Sequence, residues 1–140
     1  MIEWSDPDAA QKWVQKTLPQ LKRPCVVLLN GPLGAGKTQV VQWFLATMGA
    51  RDVQSPTFAI HQQYTTSTGP VDHLDLYRLQ SDADLESIGF WDLLKQPRAL
   101  LFVEWAARLP DDVWPSAWTK LSILIEVSGP TSRKVEVRQL

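Results

Sequence analysis

Two uninterrupted runs of apolar residues lie in a chain of 140 residues that is otherwise mixed in polarity. The first covers residues 25–29, the second covers residues 99–103, and each begins within two positions after a proline. Apolar runs of this length are typical of strands that are buried on both faces, as in the middle of a parallel sheet. We therefore predict central strands over residues 25–30 and 99–103, the second ending at Glu104.

Apolar residues also recur at helical spacing on both sides of the first run. Before it, they predict a helix that Ser5 or Asp6 caps and that has Pro7 in its first turn. After it, residues 38–48 carry apolar side chains around much of the helix, which favours a helix packed between the sheet and other structure. Gly49 is well placed to end that helix. The positions that define the first helix are Ala10, Trp13, Val14, Thr17, Leu18 and Leu21.

Shorter strands, turns and helical segments alternate along the rest of the chain. The predicted strands are 58–64 and 71–76, which form a hairpin around a turn at 65–70, and 121–127 and 135–140, which form a closing hairpin. The predicted helical segments are 81–88, 91–94 and 105–109, and a loop is predicted over 110–116. This alternation indicates an α/β protein.

A phosphate-binding loop stands between the first apolar run and the helix that follows it. Residues 31–38 read Gly-Pro-Leu-Gly-Ala-Gly-Lys-Thr and match the pattern G-x-x-x-x-G-K-[ST]. Gly34 and Gly36 allow consecutive N–H groups to turn inward beside the positive end of a helix. Lys37 would then reach the β- and γ-phosphates, and Thr38 would offer its hydroxyl to Mg²⁺. The predicted nucleotide contacts in the loop are Gly31, Gly34, Ala35, Gly36, Lys37 and Thr38.

The order strand, glycine loop, helix is typical of one class of α/β fold. We expect a P-loop NTPase-like three-layer sandwich, with a mixed central β-sheet flanked by helices, as a single domain over residues 1–140. The bland alternative is a glycine-rich turn that leads into an ordinary helix.

Composition changes this interpretation little. The net charge of −1 suggests no nucleic-acid surface of the chain's own. Cys25 lies inside an apolar run and is best explained as a small buried hydrophobic residue. No stretch has the length and apolarity of a membrane span or a targeting segment. We therefore expect a cytoplasmic protein without a membrane partner, monomeric when isolated.

Acidic residues that follow neighbouring strands are candidates to complete the site. Mg²⁺ beside a phosphate loop needs a carboxylate from an adjacent strand end. Glu104 is the best candidate for this metal ligand, and Asp75 is the second candidate, with His73 on the same strand face. Thr57 would place a hydroxyl near the γ-phosphate, although an ordinary Ser-Pro-Thr turn explains it equally well. We treat His73 as a structural residue.

Four pieces of the sequence stand in one order: residues 31–38, Ser-Pro-Thr-Phe at 55–58, His-Leu-Asp-Leu-Tyr-Arg-Leu at 73–79 and Val-Glu-Trp at 103–105. Together they resemble the bacterial TsaE (YjeE) family, the ATPase component of tRNA threonylcarbamoyladenosine biosynthesis. The resemblance covers nearly the whole chain. Pro32 and Gln39 depart from the family's usual residues, as do residues 106–108, which affects the loop expected to face a partner.

The resemblance implies roles for particular residues. Lys37 and Thr38 would hold ATP or ADP with Mg²⁺, Glu104 would lie at the metal, Asp75 would be needed for hydrolysis, and Thr57 would belong to a switch-like loop. The adenine contacts would come from near the first helix and a late loop, which points to Ser5, Asp6 and Arg133. The partners would be TsaD and TsaB, with tRNA contacted only indirectly, and ATP hydrolysis would drive turnover of their assembly.

The predicted mechanism is in-line attack of water on the γ-phosphate, with Asp75 or Glu104 orienting the water. Arg78 and Arg108 are candidates for a charge-stabilising arginine, but no finger is obvious, so we expect slow hydrolysis without partners. A small-molecule or nucleotide kinase is the main alternative. A GTPase lacks support because no N-K-x-D motif is present. A third alternative is an adaptor in which nucleotide is only structural.

Overall fold

The computed structural model describes residues 1–50 and 60–140. Within these ranges the chain forms a single mixed sheet with helices on both faces. The strands are β1 (Ile2–Trp4), β2 (Cys25–Asn30), β3 (His61–Thr66), β4 (Gly69–Asp75), β5 (Leu100–Glu104), β6 (Thr119–Val127) and β7 (Arg133–Gln139). The α-helices are α1 (Pro7–Thr17), α2 (Lys37–Thr47), α3 (Asp82–Ser87) and α4 (Phe90–Leu93). Short 3₁₀ turns lie at Leu18–Gln20, Leu76–Arg78, Ala106–Arg108 and Asp111–Val113.

The strand order across the sheet is β1-β7-β6-β2-β5-β4-β3. The central strand β2 is parallel to both β5 and β6, and β4 is parallel to β5, while the outer pairs are antiparallel. The two apolar runs are therefore neighbouring central strands, as predicted. Burial on both faces explains why neither run alternates with polar residues.

Two apolar clusters, one on each face of the sheet, make the structure a three-layer sandwich. Val27 and Leu29 of β2 pack in the cluster that includes residues of α1 and α2. Val26 and Leu28 of the same strand pack in the opposite cluster, with residues of α3 and α4. The predicted α/β fold with a mixed sheet between helices is confirmed.

Local sequence explains how the first helix begins. The Asp6 carboxylate accepts a hydrogen bond of 2.8 Å from the Ala9 backbone N–H, and Pro7 occupies the first helical turn. An aspartate in this position satisfies an N–H group that has no partner within the helix. Of the two candidate caps, Asp6 and Ser5, the structure selects Asp6.

Several predicted boundaries were wrong. Strand β1 was not predicted, because three residues are too few to show an alternating pattern, yet it pairs with β7 through Ile2 and Val135. The first hairpin turns over residues 67–68, which is tighter than expected, and predicted strand positions 58–59 lie outside the described residues. The predicted loop at 110–116 contains the 3₁₀ turn at Asp111–Val113.

The parallel register brings the carboxyl ends of three strands together. Leu29 of β2 lies beside Glu104 of β5, and Glu104 lies beside Asp75 of β4. In open α/β sheets this edge is where ligands bind. Within the described ranges, no helix has the length and apolarity that crossing a membrane requires.

We expect Cys25 to react with a thiol reagent only when the protein unfolds. Its side chain is fully buried, and burial raises the pKa of its thiol from 9.0 to about 12. The native protein therefore holds almost no thiolate at neutral pH. Labelling followed across a urea titration should rise in step with unfolding, and fast labelling without urea would contradict the burial of this strand.

The same pKa shift predicts a loss of stability in alkaline solution. The thiol should ionise near pH 9.0 in the unfolded chain but only near pH 12 in the folded protein. Stability from this group is therefore complete below pH 9.0 and falls by about 1.4 kcal/mol per pH unit as the pH rises toward 12. Urea unfolding of the wild type and of Cys25→Ala, measured at several alkaline pH values, should differ by this slope. Equal slopes for the two proteins would refute the expectation.

Candidate active site

The loop between β2 and α2 has a backbone that requires glycine. Gly31, Gly34 and Gly36 have φ angles of 155°, 78° and 110°. A Cβ atom at Gly31 would lie 2.6 Å from the Ile125 carbonyl oxygen, so this glycine lets the loop pass closely over β6. Within the loop, the Ala35 N–H donates to the Pro32 carbonyl over 3.1 Å. The glycines therefore give the loop the sharply turned backbone that the motif predicts, and the binding of phosphate there stays a prediction.

Lys37 is a buried cation that lies over its own loop. It is 4% exposed, and its ammonium donates to the carbonyls of Gly31 at 2.5 Å and Pro32 at 3.0 Å. The same Nζ lies 4.1 Å from the centre of the Trp105 ring. Desolvation lowers the pKa of Lys37, while the negative charges of Glu104 and Asp75 raise it. The positive charge is therefore held at the mouth of the loop by neutral oxygens and an aromatic face.

Glu104 joins the end of β5 to the start of α2. Both of its carboxylate oxygens lie 2.8 Å from the Thr38 hydroxyl, which donates to them. One of them, Oε2, also lies 2.5 Å from Nε2 of His73. Glu104 is 3% exposed and His73 is 4% exposed, so the carboxylate is enclosed by its hydrogen-bonding partners. Thr38 and Glu104, the two predicted metal ligands, therefore lie within hydrogen-bonding distance of each other, and their role at a metal stays a prediction.

Asp75 lies at the same mouth. It is the register partner of Glu104, it is half-buried, and its carboxylate accepts a hydrogen bond of 3.1 Å from the Tyr77 N–H. A cleft of about 350 Å³ contains Asp75 and Glu104 opposite Lys37 and Thr38. The two acids therefore converge on the phosphate-binding loop, although their catalytic roles stay predictions.

Trp105 lines this cleft, and its backbone has an unusual conformation. Its φ angle is 58°, in the left-handed region that large side chains rarely adopt. Its N–H donates to the Leu29 carbonyl over 3.1 Å, and its ring lies 5.0 Å from that of Tyr77. Backbone strain of this kind persists where the surroundings fix it, and such residues often cluster at functional sites. Here the strain places an aromatic face against Lys37.

A second cavity of about 230 Å³ lies on the α1 side of the loop. Of the three residues predicted to contact adenine, Asp6 and Arg133 line this cavity, whereas Ser5 is exposed and is not among its lining residues. The Asp6 carboxylate caps α1, and Arg133 donates to the carbonyls of Ala35 at 3.0 Å and Gly34 at 3.4 Å. The hydrogen bonds of Arg133 to these two carbonyls therefore support the loop.

Sequence reasoning missed Trp4 as a residue of this second cavity. Trp4 is 4% exposed and pairs with Arg133 across β1 and β7. Its indole N–H is buried and has no hydrogen-bond partner among the described residues. Because β1 was not recognised in the sequence, nothing placed Trp4 beside the loop.

His73 is the second residue that sequence analysis did not connect with the site. It was predicted to share a strand face with Asp75 and to be a structural residue, and in the structure that face lies toward the site. Its hydrogen bond to Glu104 depends on the pairing of β4 with β5, which no local pattern reveals. Thr57, the predicted switch residue, lies outside the described residues.

A glycine loop between a central parallel strand and a helix, with a lysine, a threonine and an acid from the next strand, defines the P-loop NTPase-like class of α/β proteins. Comparison with known proteins gives the family within that class. The chain belongs to the TsaE family, because a family model described as "Threonylcarbamoyl adenosine biosynthesis protein TsaE" matches residues 4–135. The protein is therefore involved in tRNA threonylcarbamoyladenosine biosynthesis, and the resemblance inferred from the motifs is confirmed.

Individual relatives agree with this assignment. The chain is 38% identical over 109 residues to the tRNA threonylcarbamoyladenosine biosynthesis protein TsaE of Synechocystis, a match that covers 75% of this chain and 69% of the relative. It is 31% identical over 137 residues to the Bacillus subtilis protein of the same name, covering 96% of this chain and 83% of the relative. The crystal structure of Bacillus subtilis YdiB superposes with a TM-score of 0.66 at 26% identity, covering 96% of this chain and 82% of that one.

Substitution of two loop glycines should separate close packing from backbone strain. Gly31→Ala should lower the free energy of unfolding by about 3 kcal/mol, of which about 1 kcal/mol is backbone strain and about 2 kcal/mol is overpacking against Ile125. Gly34→Ala, which meets no atom within 4 Å, should cost only the strain. Urea unfolding measures both values, and equal losses would show that the approach to β6 is not a constraint.

Proposed function

We propose that this chain is a Mg²⁺-dependent ATPase whose hydrolysis of ATP drives turnover of a threonylcarbamoylation assembly with TsaD and TsaB. The observation that carries the proposal is the convergence of Lys37, Thr38, Glu104 and Asp75 on one cleft. Work on tRNA would place this activity in the cytoplasm, with tRNA contacted only through the partners.

The residues present fit a bound nucleotide. The Gly31 position has no room for a side chain, and Gly34 and Gly36 adopt the positive φ angles that a phosphate-binding turn requires. Lys37 is a buried cation whose hydrogen-bond partners are neutral carbonyls, so it is available to meet an anion. The second cavity beside the loop supplies Trp4 and Arg133 as walls for a base.

The residues also fit Mg²⁺. Hydroxyl and carboxylate oxygens are the ligands that this cation prefers, either directly or through water. Thr38 and Glu104 supply these oxygens 2.8 Å apart at the end of the phosphate loop. When bound, Mg²⁺ would neutralise charge on the phosphate oxygens.

Each residue then has a defined task in hydrolysis. Lys37 and the loop amides offset the charge that develops on the phosphate oxygens. Asp75 accepts a hydrogen bond from the attacking water, because its carboxylate is the less enclosed of the two acids and faces the cleft. The rings of Trp105 and Tyr77, 5.0 Å apart, line the cleft beside Asp75.

The small number of cations that line the cleft suggests that fast hydrolysis needs a partner protein. Among the described residues that line the cleft, Lys37 is the single cation, and no arginine is present. P-loop enzymes that lack an internal arginine hydrolyse nucleotide slowly until another protein supplies one. We therefore propose slow hydrolysis by the isolated chain and faster hydrolysis with TsaD and TsaB.

Variants of the cleft should separate nucleotide binding from chemistry. Lys37→Ala should lose most affinity for ATP, because among the described residues it removes the single cation that lines the cleft, whereas Asp75→Asn should bind ATP within about 3-fold of the wild type. Asp75→Asn should hydrolyse it at least about 100-fold more slowly, since loss of the group that orients water acts on the chemical step. Calorimetric binding and release of inorganic phosphate, with and without TsaD and TsaB, measure the two effects.

A matched control is Asp92→Asn, which neutralises an exposed acid on α4 that does not line the cleft. It should behave as the wild type in both assays. Hydrolysis by Asp75→Asn at the wild-type rate would contradict the assignment of that residue. Transfer of phosphate to an acceptor other than water would contradict the ATPase and indicate a kinase.

A further inference from the structure

The strongest unexplained feature of the cleft is a buried histidine behind its acid. His73 is not among the groups that would contact phosphate, and it does not line the cleft. Its Nε2 lies 2.5 Å from Oε2 of Glu104, and both side chains are at least nine-tenths buried. An ionised carboxylate can only accept hydrogen bonds, so the Nε2–H group donates to it.

We infer that His73 is a positioning residue for the Mg²⁺ site, an inference that rests on the proposed function. The histidine holds Glu104 in the orientation in which the carboxylate accepts the hydroxyl proton of Thr38. Because a hydroxyl has one proton and two lone pairs, donation to Glu104 leaves the lone pairs of Thr38 for a cation. His73 thus prepares a ligand that it does not touch.

Burial explains why the carboxylate needs this partner. Removing a carboxylate from water is costly unless hydrogen bonds replace its hydration. At Glu104 the replacement comes from the Thr38 hydroxyl, which contacts both carboxylate oxygens, and from His73, which contacts Oε2. If the bond from His73 were lost, the carboxylate would turn to find another donor or water, and its alignment with Thr38 would be lost with it.

The sheet fixes the histidine in place. His73 is the register partner of Phe102, two positions before Glu104 on the neighbouring strand, so it reaches Glu104 diagonally on the same face. Because strand pairing fixes the backbone of His73, its N–H donor stays in one place and can orient the carboxylate of Glu104. Residues of this kind typically change metal affinity by about 10- to 100-fold when they are removed.

The chain contains a matched control pair on the same hairpin. His61 lies 2.6 Å from Asp72, which is 2% exposed, and neither residue lines the cleft. The sequence contains two histidines, so these pairs account for both. Loss of the histidine–carboxylate contact should lower stability in either pair, although less for His61, whose side chain is 19% exposed, and only the His73 pair should affect the cation.

The test compares His73→Leu, His73→Gln and His61→Leu by the Mg²⁺ concentration that half-saturates ADP binding and by Mn²⁺ affinity measured by electron paramagnetic resonance. His73→Leu should raise the Mg²⁺ midpoint and weaken Mn²⁺ at least about 10-fold, while ADP affinity without the cation changes less than about 3-fold. His73→Gln, which keeps an N–H donor, should recover most of the loss. His61→Leu should leave the midpoint unchanged even where it lowers the melting temperature.

Two results would overturn the inference. One is a melting temperature that falls in His73→Leu while cation affinity stays at the wild-type value. The other is an equal loss of cation affinity in His61→Leu. If His73→Leu does not fold, the comparison of His73→Gln with His73→Asn, whose shorter side chain moves the donor away from Glu104, decides in the same way: equal cation affinities refute the inference.

Nuclear magnetic resonance separates failure of this inference from failure of the proposed function. In the nucleotide-free protein labelled with ¹⁵N-histidine, the Nε2 proton of His73 should resonate far downfield and should move in Glu104→Gln, while the His61 signal stays in place. Absence of ADP and Mg²⁺ binding in the wild type would refute the proposed function even if this signal is present. Absence of the signal would refute the positioning contact, whatever the protein binds.

Discussion

The hydrogen bond between Thr38 and Glu104 connects the two parts of the molecule on which the site depends. Thr38 is the second residue of α2, just after the glycine loop, and Glu104 ends β5. They meet because β5 pairs in parallel with β2, the strand that leads into the loop, so both strands end at the same edge. A shift of one residue in this register would turn Glu104 to the opposite face. The buried apolar runs that form these strands therefore determine the geometry of the charged groups.

The phosphate loop is held from the side of β6 and β7 as well. The Ile125 carbonyl lies against Gly31, and the guanidinium of Arg133 donates to the carbonyls of Gly34 and Ala35. These hydrogen bonds hold the Gly34 and Ala35 carbonyls against the guanidinium of Arg133, so the loop keeps its turned backbone. The family resemblance had suggested Arg133 as a nucleobase contact. In the structure its hydrogen bonds support the loop, and the nucleobase role stays a prediction.

Sequence predicted the parts of this arrangement that local patterns determine. The apolar runs gave β2 and β5, the glycine motif gave the loop, and strand ends indicated that Asp75 and Glu104 would converge, as they do. Sequence failed where the answer depends on pairing between distant strands. The contact of His73 with Glu104 and the place of Trp4 beside the loop both follow from register, and a strand as short as β1 carries no periodic signal.

Several features of the site cost stability in the ligand-free protein. Trp105 has a left-handed backbone, the ammonium of Lys37 is desolvated, and the glycines lose more backbone entropy on folding than other residues. Burial of apolar side chains in the two clusters, one on each face of the sheet, offsets this loss of stability. An anion that binds Lys37 would restore the stabilisation that the ammonium loses on burial, because it adds a negative charge beside a buried positive one. If the site binds polyphosphate as we propose, its own charged groups would need little rearrangement, since the sheet has already placed them.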